Sequence, residues 1–259
     1  MVQTPSDPVT PHTHQPSLGS PVIVPTAKPP RDNAADEWWS DEPQLETELH
    51  RAQIDLLLRL IKWHWRGQRM YCSGNTTVYF DPENRTNRNF RGPDVYVVFN
   101  ADPRLRKSWM VWREGNQFPN VVFGILSDAT AKRDRTTKKQ IYQDVWQLSN
   151  YFWFHPYTQE FQGFRLVQGQ YQALQPNERG HLWSEEMGLF VGMHTDGMLR
   201  LFTPAGELVL LEEEEERSRR DLVQRQLQTE RQRAEAERQR ADQLAERLRQ
   251  LGIDPDAIQ

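Results

Sequence analysis

The sequence predicts an α+β fold in which a mixed β-sheet is flanked by helices and followed by a long C-terminal helix. Three observations carry this. The periodic segments run helix, several strands, helix, strands, without the strand–helix alternation of a doubly wound parallel sheet. All nine tryptophans fall between residues 37 and 211. From Glu212 onward the chain becomes Glu/Arg-rich and repeats in heptads.

Residues 1–36 hold eight of the seventeen prolines and few apolar residues, so they cannot bury enough surface to offset ordering entropy and are expected to form a disordered leader. His12 and His14 in that tract are read as incidental. The body, 37–211, opens with a helix through DEPQLETELHRAQIDLLLRLIKWHWRG, with Ser40 or Asp41 as its cap and apolar residues nearly all round after Ala52. Such a helix must be covered, by its own sheet or by a second copy. A homodimer through this helix is the expectation.

TTVYF at 76–80 and DVYVVF at 94–99 read as strands. SWMVWREGNQFPNVVFGIL reads as two strands joined by a turn at Glu114-Gly115-Asn116. Asp134 to Leu148 reads as a helix with Ile141, Val145 and Leu148 on one face, followed by strands at 151–155, 160–166 and 169–174.

The tail, 212–259, is a helix by its heptads: Leu227, Ala234, Ala241 and Leu248 recur seven apart. Val223, Leu244 and Leu251 fill the companion seam, interrupted by Glu230 and Glu237. Pairing as a coiled coil and a solvated single helix both remain open. Gly252 and Pro255 mark the stop.

Composition narrows the function classes. One cysteine, Cys72, excludes an internal disulfide framework and suggests a reducing, cytoplasmic setting. The longest apolar runs are too short to cross a bilayer, so no membrane association is expected. Of 32 Lys/Arg and 36 Asp/Glu, ten and thirteen lie in the tail, which leaves 22 and 23 elsewhere. The body is thus nearly neutral, unlike a typical basic DNA-binding domain. The one dense basic run, 132–139, has five Lys/Arg in eight positions and could contact phosphates. His50, His64, His181 and His194 show no metal-ligand spacing.

Several phrases in order carry a resemblance: LHRAQIDLLLRL with Glu46 and Glu48 before it, GNTTVYF, RGPDVYVVF, VVFGILSDATAKRDRTTKKQIY, NYFWFHPYTQEFQGFRL, LWSEEMGLFVG, LRLFTPAGELV, and the tail ending LRQLGIDPD. Over roughly 40–205 the chain resembles the Uma-two family of endonucleases in the PD-(D/E)XK, restriction-endonuclease-like superfamily. The resemblance implies a Mg²⁺-dependent endonuclease acting on DNA, with Mn²⁺ as a possible substitute. It makes Asp94 the first metal ligand and catalytic residue, and Lys138 the catalytic lysine. Asp134, Lys138 and Tyr142 match the family's D-x-x-x-K-x-x-x-Y signature, with Leu126 in the usual lysine slot. Glu46 is the candidate second metal ligand from the first helix, with Glu48 as its alternative. Lys132, Arg133, Arg135 and Lys139 are the candidate nucleic-acid contacts.

The chain departs from the pattern twice. Gly124 stands where the family has Glu, which removes a ligand and weakens metal binding. Restoring that Glu is expected to help. His155 stands where the family more often has Asp, at a strand-end turn. Tyr142 is read as a packing residue. Two function classes follow: the endonuclease with a weakened site, and an inactive nuclease-fold protein acting in nucleic-acid binding or oligomeric interaction through its tail.

Overall fold

The computed structural model describes residues 47–82 and 90–252. The Pro-rich leader, Ser40, Asp41 and Glu46 lie outside them.

Helix α1 (Glu48–His64) starts at Thr47, whose hydroxyl accepts the His50 N–H at 3.3 Å. Apolar side chains at Ile54, Leu57 and Ile61, with Leu60 beside them, give one helical face, and all four are buried. The strands that follow are β1 (Met70–Ser73), β2 (Val78–Tyr79), β3 (Phe90–Arg91), β4 (Val95–Phe99), β5 (Trp109–Met110) and β6 (Val121–Ile125). Next come α2 (Ala131–Arg133), a π-helical segment (Asp134–Lys138) and α3 (Lys139–Asp144). The body closes with β7 (Asn150–Phe154), β8 (Phe161–Val167), β9 (Gln170–Ala173), β10 (Leu182–Ser184), β11 (Leu189–Met193) and β12 (Leu199–Phe202), and α4 (Glu212–Gln250) follows as the last described element.

The main sheet has the order β1-β4-β6-β7-β8-β9. It is mixed: β6 and β7 are parallel and the other pairs antiparallel. Because side chains alternate along a strand, its two faces build two cores. Val95, Val97, Val121, Phe123, Ile125, Phe152 and Phe154 join α1 and the β10-β11-β12 sheet in one. Tyr96, Val98, Val122, Tyr151 and Trp153 join Ala131, Tyr142 and Trp146 in the other.

Helix α1 is thus covered within its own chain, and no large apolar side chain on it is exposed. Gln53 fixes its position by bonding both the C=O and the N–H of Leu199 in β12, at 3.1 and 2.8 Å. Gly163 in β8 allows the close approach of the second sheet, since a Cβ there would lie 2.6 Å from the Phe152 ring and 2.9 Å from Leu182.

Three local readings are corrected. Residues 108–125 do not form a hairpin: β5 pairs parallel with β2 in a small separate sheet. A 3₁₀ turn at Val111–Arg113 follows it. Trp109 dictates this, being fully buried against the Tyr71 ring at 5.2 Å, with its indole N–H on the Gln117 carbonyl at 2.8 Å. The helix expected over 134–148 begins at Ala131 and ends at Asp144. Gln147 at φ 49° breaks it, so Leu148 is buried beyond the helix while Val145 is 48% exposed. Of the strand expected over 76–80, only Val78–Tyr79 pairs. Strand β1 and the β10–β12 sheet are strands that periodicity did not single out.

Helix α4 begins at Glu212, where the composition turns Glu/Arg-rich. Its first turn is docked on the body: Glu214 accepts from Arg200 at 2.6 Å and from the Leu211 N–H at 2.8 Å, and Glu215 from the Trp63 indole at 2.8 Å. No described residue of the helix is buried, and Gly252 at φ 76° follows its end. No described helix is long and apolar enough to cross a membrane.

Candidate active site

Strand register sets the site. Val95 lies opposite Phe123 on antiparallel β4 and β6, so Asp94, one step earlier, falls level with Gly124. By alternation both belong to the face that carries Tyr96 and Val122, the face covered by the α2–α3 segment. The Asp94 carboxylate accepts the backbone N–H of Ile125 at 2.8 Å.

From above, the π-helical segment presents Asp134, which is 1% exposed. A Cβ built on Gly124 would lie 3.5 Å from Asp134 Oδ1 and 3.0 Å from the Tyr151 hydroxyl. The space a side chain at 124 would need is therefore filled from the helix and from β7. Lys138, one turn along, sets its ammonium 2.6 Å from Asp134 Oδ1. The Tyr151 hydroxyl donates to the Asp134 carbonyl at 3.3 Å. A π segment widens the helix by one residue per turn and is frequent at functional sites. Here it spans the stretch from Asp134 to Lys138.

The electrostatics follow from burial. Loss of solvent pushes the Asp94 carboxyl up to about 6; Lys138, the Ile125 N–H and His50 oppose the rise, and Asp134 adds to it. The hydroxyls of Tyr142 and Tyr151 are held well above their usual range, first by burial and then by the nearby carboxylates. Tyr142 is packed between Trp146 and Tyr151 at 4.7 and 5.0 Å between ring centroids.

The sequence-derived residues distribute as follows. Asp94, Gly124 and Lys138 come together, with Asp134 among them. Glu46 lies outside the described residues, and Glu48 is exposed in the first turn of α1. That helix instead sends His50 to the site, donating from Nε2 to the Ile125 carbonyl at 2.7 Å. Its partner is 75 residues away, so no local spacing could have revealed it. Asp134 had a visible signal, the D-x-x-x-K-x-x-x-Y pattern, but nothing in that pattern says the carboxylate turns back onto the strand.

Lys132 and Arg133 are exposed beside the site. Arg135 is bound to Glu160, with Nε to Oε1 at 3.0 Å, and Lys139 rests 3.6 Å over the Phe164 ring. These two are engaged within the protein. Past the carboxyl ends of β6 and β7 lies an open cleft of about 440 Å³, lined by Asp128, Lys132, Arg135, His155 and Glu160 among others. His155 is buried, with Nδ1 accepting the N–H groups of Tyr157 and Thr158 at 3.3 Å and Nε2 donating to Asp128 at 3.2 Å. It caps the strand-end turn.

The donor set can be tested against a hard divalent cation. Among the described residues no group of three or more His, Cys, Asp and Glu is gathered to hold a metal. Two carboxylates, Asp94 and Asp134, are available, while the Ile125 carbonyl already accepts from His50 Nε2 at 2.7 Å. Asp134 Oδ2 is buried without a hydrogen-bond partner, as a ligand atom awaiting a cation would be. Mg²⁺ keeps several waters and commonly takes only one or two carboxylates. The residues fit such an ion, with few protein ligands.

Comparison with known proteins places these features. Residues 39–196 match the family model described as "Uma2: Putative restriction endonuclease", more than half of the chain, and the chain belongs to that family. No curated protein matches it. Among solved structures, one titled as a "putative nuclease belonging to DUF820 from Anabaena variabilis" is similar at 10% identity and a TM-score of 0.41, over 58% of this chain and 78% of that one.

Proposed function

We propose that the chain is a DNA endonuclease dependent on a weakly held divalent cation, Mg²⁺ or Mn²⁺, in which Asp134 supplies the carboxylate that Gly124 cannot. The observation that carries this reading is the buried, half-unpartnered Asp134 carboxylate lying beside Gly124 on the face that bears Asp94. Restriction-endonuclease-like proteins generally use divalent metal ions, which supports the cation requirement. When bound, the ion would polarise the scissile phosphate and lower the pKa of an attacking water.

The chain's own residues do the rest. Asp94 and Asp134 hold negative charge in a site where burial makes that costly, and so favour a cation there. The Ile125 N–H and the Ile125 carbonyl, tied to Asp94 and His50, fix the strand end. Lys138 neutralises Asp134 and can turn to charge developing on phosphate. Lys132 and Arg133 are the exposed cations available to flanking phosphates. The Lys138–Asp134 ion pair competes with the cation, which keeps affinity low. The chain acts as a homodimer; the interface expected through α1 is not offered, because that helix is covered within its own chain, and the unburied α4 is the surface we assign to it instead.

The test is nicking of supercoiled plasmid by the purified chain with Mg²⁺ or Mn²⁺. Slow nicking is expected, abolished by chelation and by Asp94→Asn. Nicking that survives Asp94→Asn rejects the reading. No nicking under any metal selects the second class, an inactive interaction protein, which the internal neutralisation of Asp134 by Lys138 favours.

A further inference from the structure

We infer that α4 pairs with α4 of a second copy of this chain as an antiparallel coiled coil centred between Glu235 and Ala236. Helix α4 is 39 residues long and buries none of them. Of its seam residues, Val223, Leu227 and Leu244 are 57%, 52% and 63% exposed. An isolated helix of this kind is held only by weak exposed ion pairs such as Arg219–Glu215 and Arg220–Glu216. The other large apolar residues exposed in the body are scattered singly.

The seam itself selects the partner and its direction. Taking Leu227, Ala234, Ala241 and Leu248 as position a of the heptad, position d holds Val223, Glu230, Glu237, Leu244 and, just past the helix, Leu251. A parallel, in-register pair sets Glu230 against Glu230 and Glu237 against Glu237 in two successive d layers, which like charges oppose. In an antiparallel pair each a residue meets a d residue. One register then matches the central layers: Leu227 with Leu244, Leu248 with Val223, Ala234 with Glu237, and Ala241 with Glu230; Leu251, just past the helix, falls opposite Arg220 at the end of the coil.

Each glutamate meets a small alanine, and each alanine is flanked on its own helix by arginines: Arg233 and Arg238 beside Ala234, Arg240 and Arg238 beside Ala241. The Glu230 side chain is 71% exposed and held only by Arg233 at 3.4 Å, so it can turn to a partner's guanidinium. Sliding by one heptad in either direction sets a leucine against a glutamate, Leu227 on Glu237 or Leu248 on Glu230. The sequence is complementary to itself in one direction and one register.

Because α4 is docked at its first turn through Glu214 and Glu215, the pairing fixes the geometry of the assembly. At 1.5 Å per residue, the two helix starts lie about 70 Å apart. The two bodies then sit at opposite ends of the coil.

The experiment uses the full chain with cysteines introduced on the seam; native Cys72 is buried and does not compete. The double variant Leu227→Cys/Leu244→Cys should crosslink into a dimer on mild oxidation, while either single variant should not crosslink with itself. In sedimentation the wild-type chain should be a dimer at micromolar concentration, and Leu227→Glu/Leu244→Glu a monomer with an unchanged thermal unfolding of the body. Self-crosslinking of Leu227→Cys alone means parallel pairing and overturns the inference. A wild-type monomer, or a dimer that persists in the double glutamate variant, overturns it too; the latter places association in the body.

Discussion

Asp94→Asn should stabilise the metal-free protein at neutral pH. Burial raises the Asp94 carboxyl from 3.8 to about 6, so the folded state holds its proton more tightly than the unfolded chain does. The charged form is the one the fold disfavours. The cost is absent below the unfolded value of 3.8, grows as pH rises through the interval, and is complete above about 6. At about 1.4 kcal/mol per unit the full shift corresponds to about 3 kcal/mol. Asp94 is only partly covered, which reduces this to about 2 kcal/mol.

Asparagine keeps an oxygen to accept the Ile125 N–H and carries no charge, so it removes that cost. For a body of this size the gain is about 4–8 °C in Tm. The assay is thermal unfolding of wild type and variant with a chelator present, at pH 7.5 and at pH 4. A gain at pH 7.5 that vanishes at pH 4 is expected. An equal or lower Tm at pH 7.5, or a gain independent of pH, would show that Asp94 is not a strained carboxylate.

Gly124→Glu should cost about 1–3 kcal/mol, because its Cβ meets the Tyr151 hydroxyl at 3.0 Å; denaturant unfolding measures this, and Asp134→Ala in the same chain should recover part of it. The gain in metal affinity expected from a Glu at 124 is thus accompanied by a folding cost. Gly163→Ala should cost a similar ~1–3 kcal/mol by pressing on Phe152 and Leu182, read in the same experiment. Cys72 is buried and its thiol is pushed up to about 12, so a thiol reagent at pH 8 should react only as fast as the protein unfolds. Rapid labelling of the native protein would place Cys72 at the surface.

The parts of the fold legible in the sequence are those with a period. Strands β4, β6 and β7 are almost continuous apolar runs, and α4 announces itself by the Glu/Arg-rich composition that begins at Glu212 and the heptads from Val223. What stayed hidden depends on contacts between distant residues. Strand β5 is two residues long and pairs parallel with another two-residue strand, and no periodicity exists over two residues. The break at Gln147 is a positive φ on a residue that does not signal one.

The site divides the same way. Asp94 and Lys138 were legible through the family's phrases. That Asp134 turns onto Gly124, and that His50 reaches Ile125, follow from how α1 and the π segment pack on opposite faces of one sheet.

The most direct test of the account is calorimetric titration of Mn²⁺ into the wild-type chain, Asp94→Asn and Asp134→Asn. Asp134 is 1% exposed beside Gly124, so if it is the second carboxylate, the wild type should bind one ion weakly and both variants should lose that binding while staying folded. Wild-type affinity retained in Asp134→Asn would contradict the account.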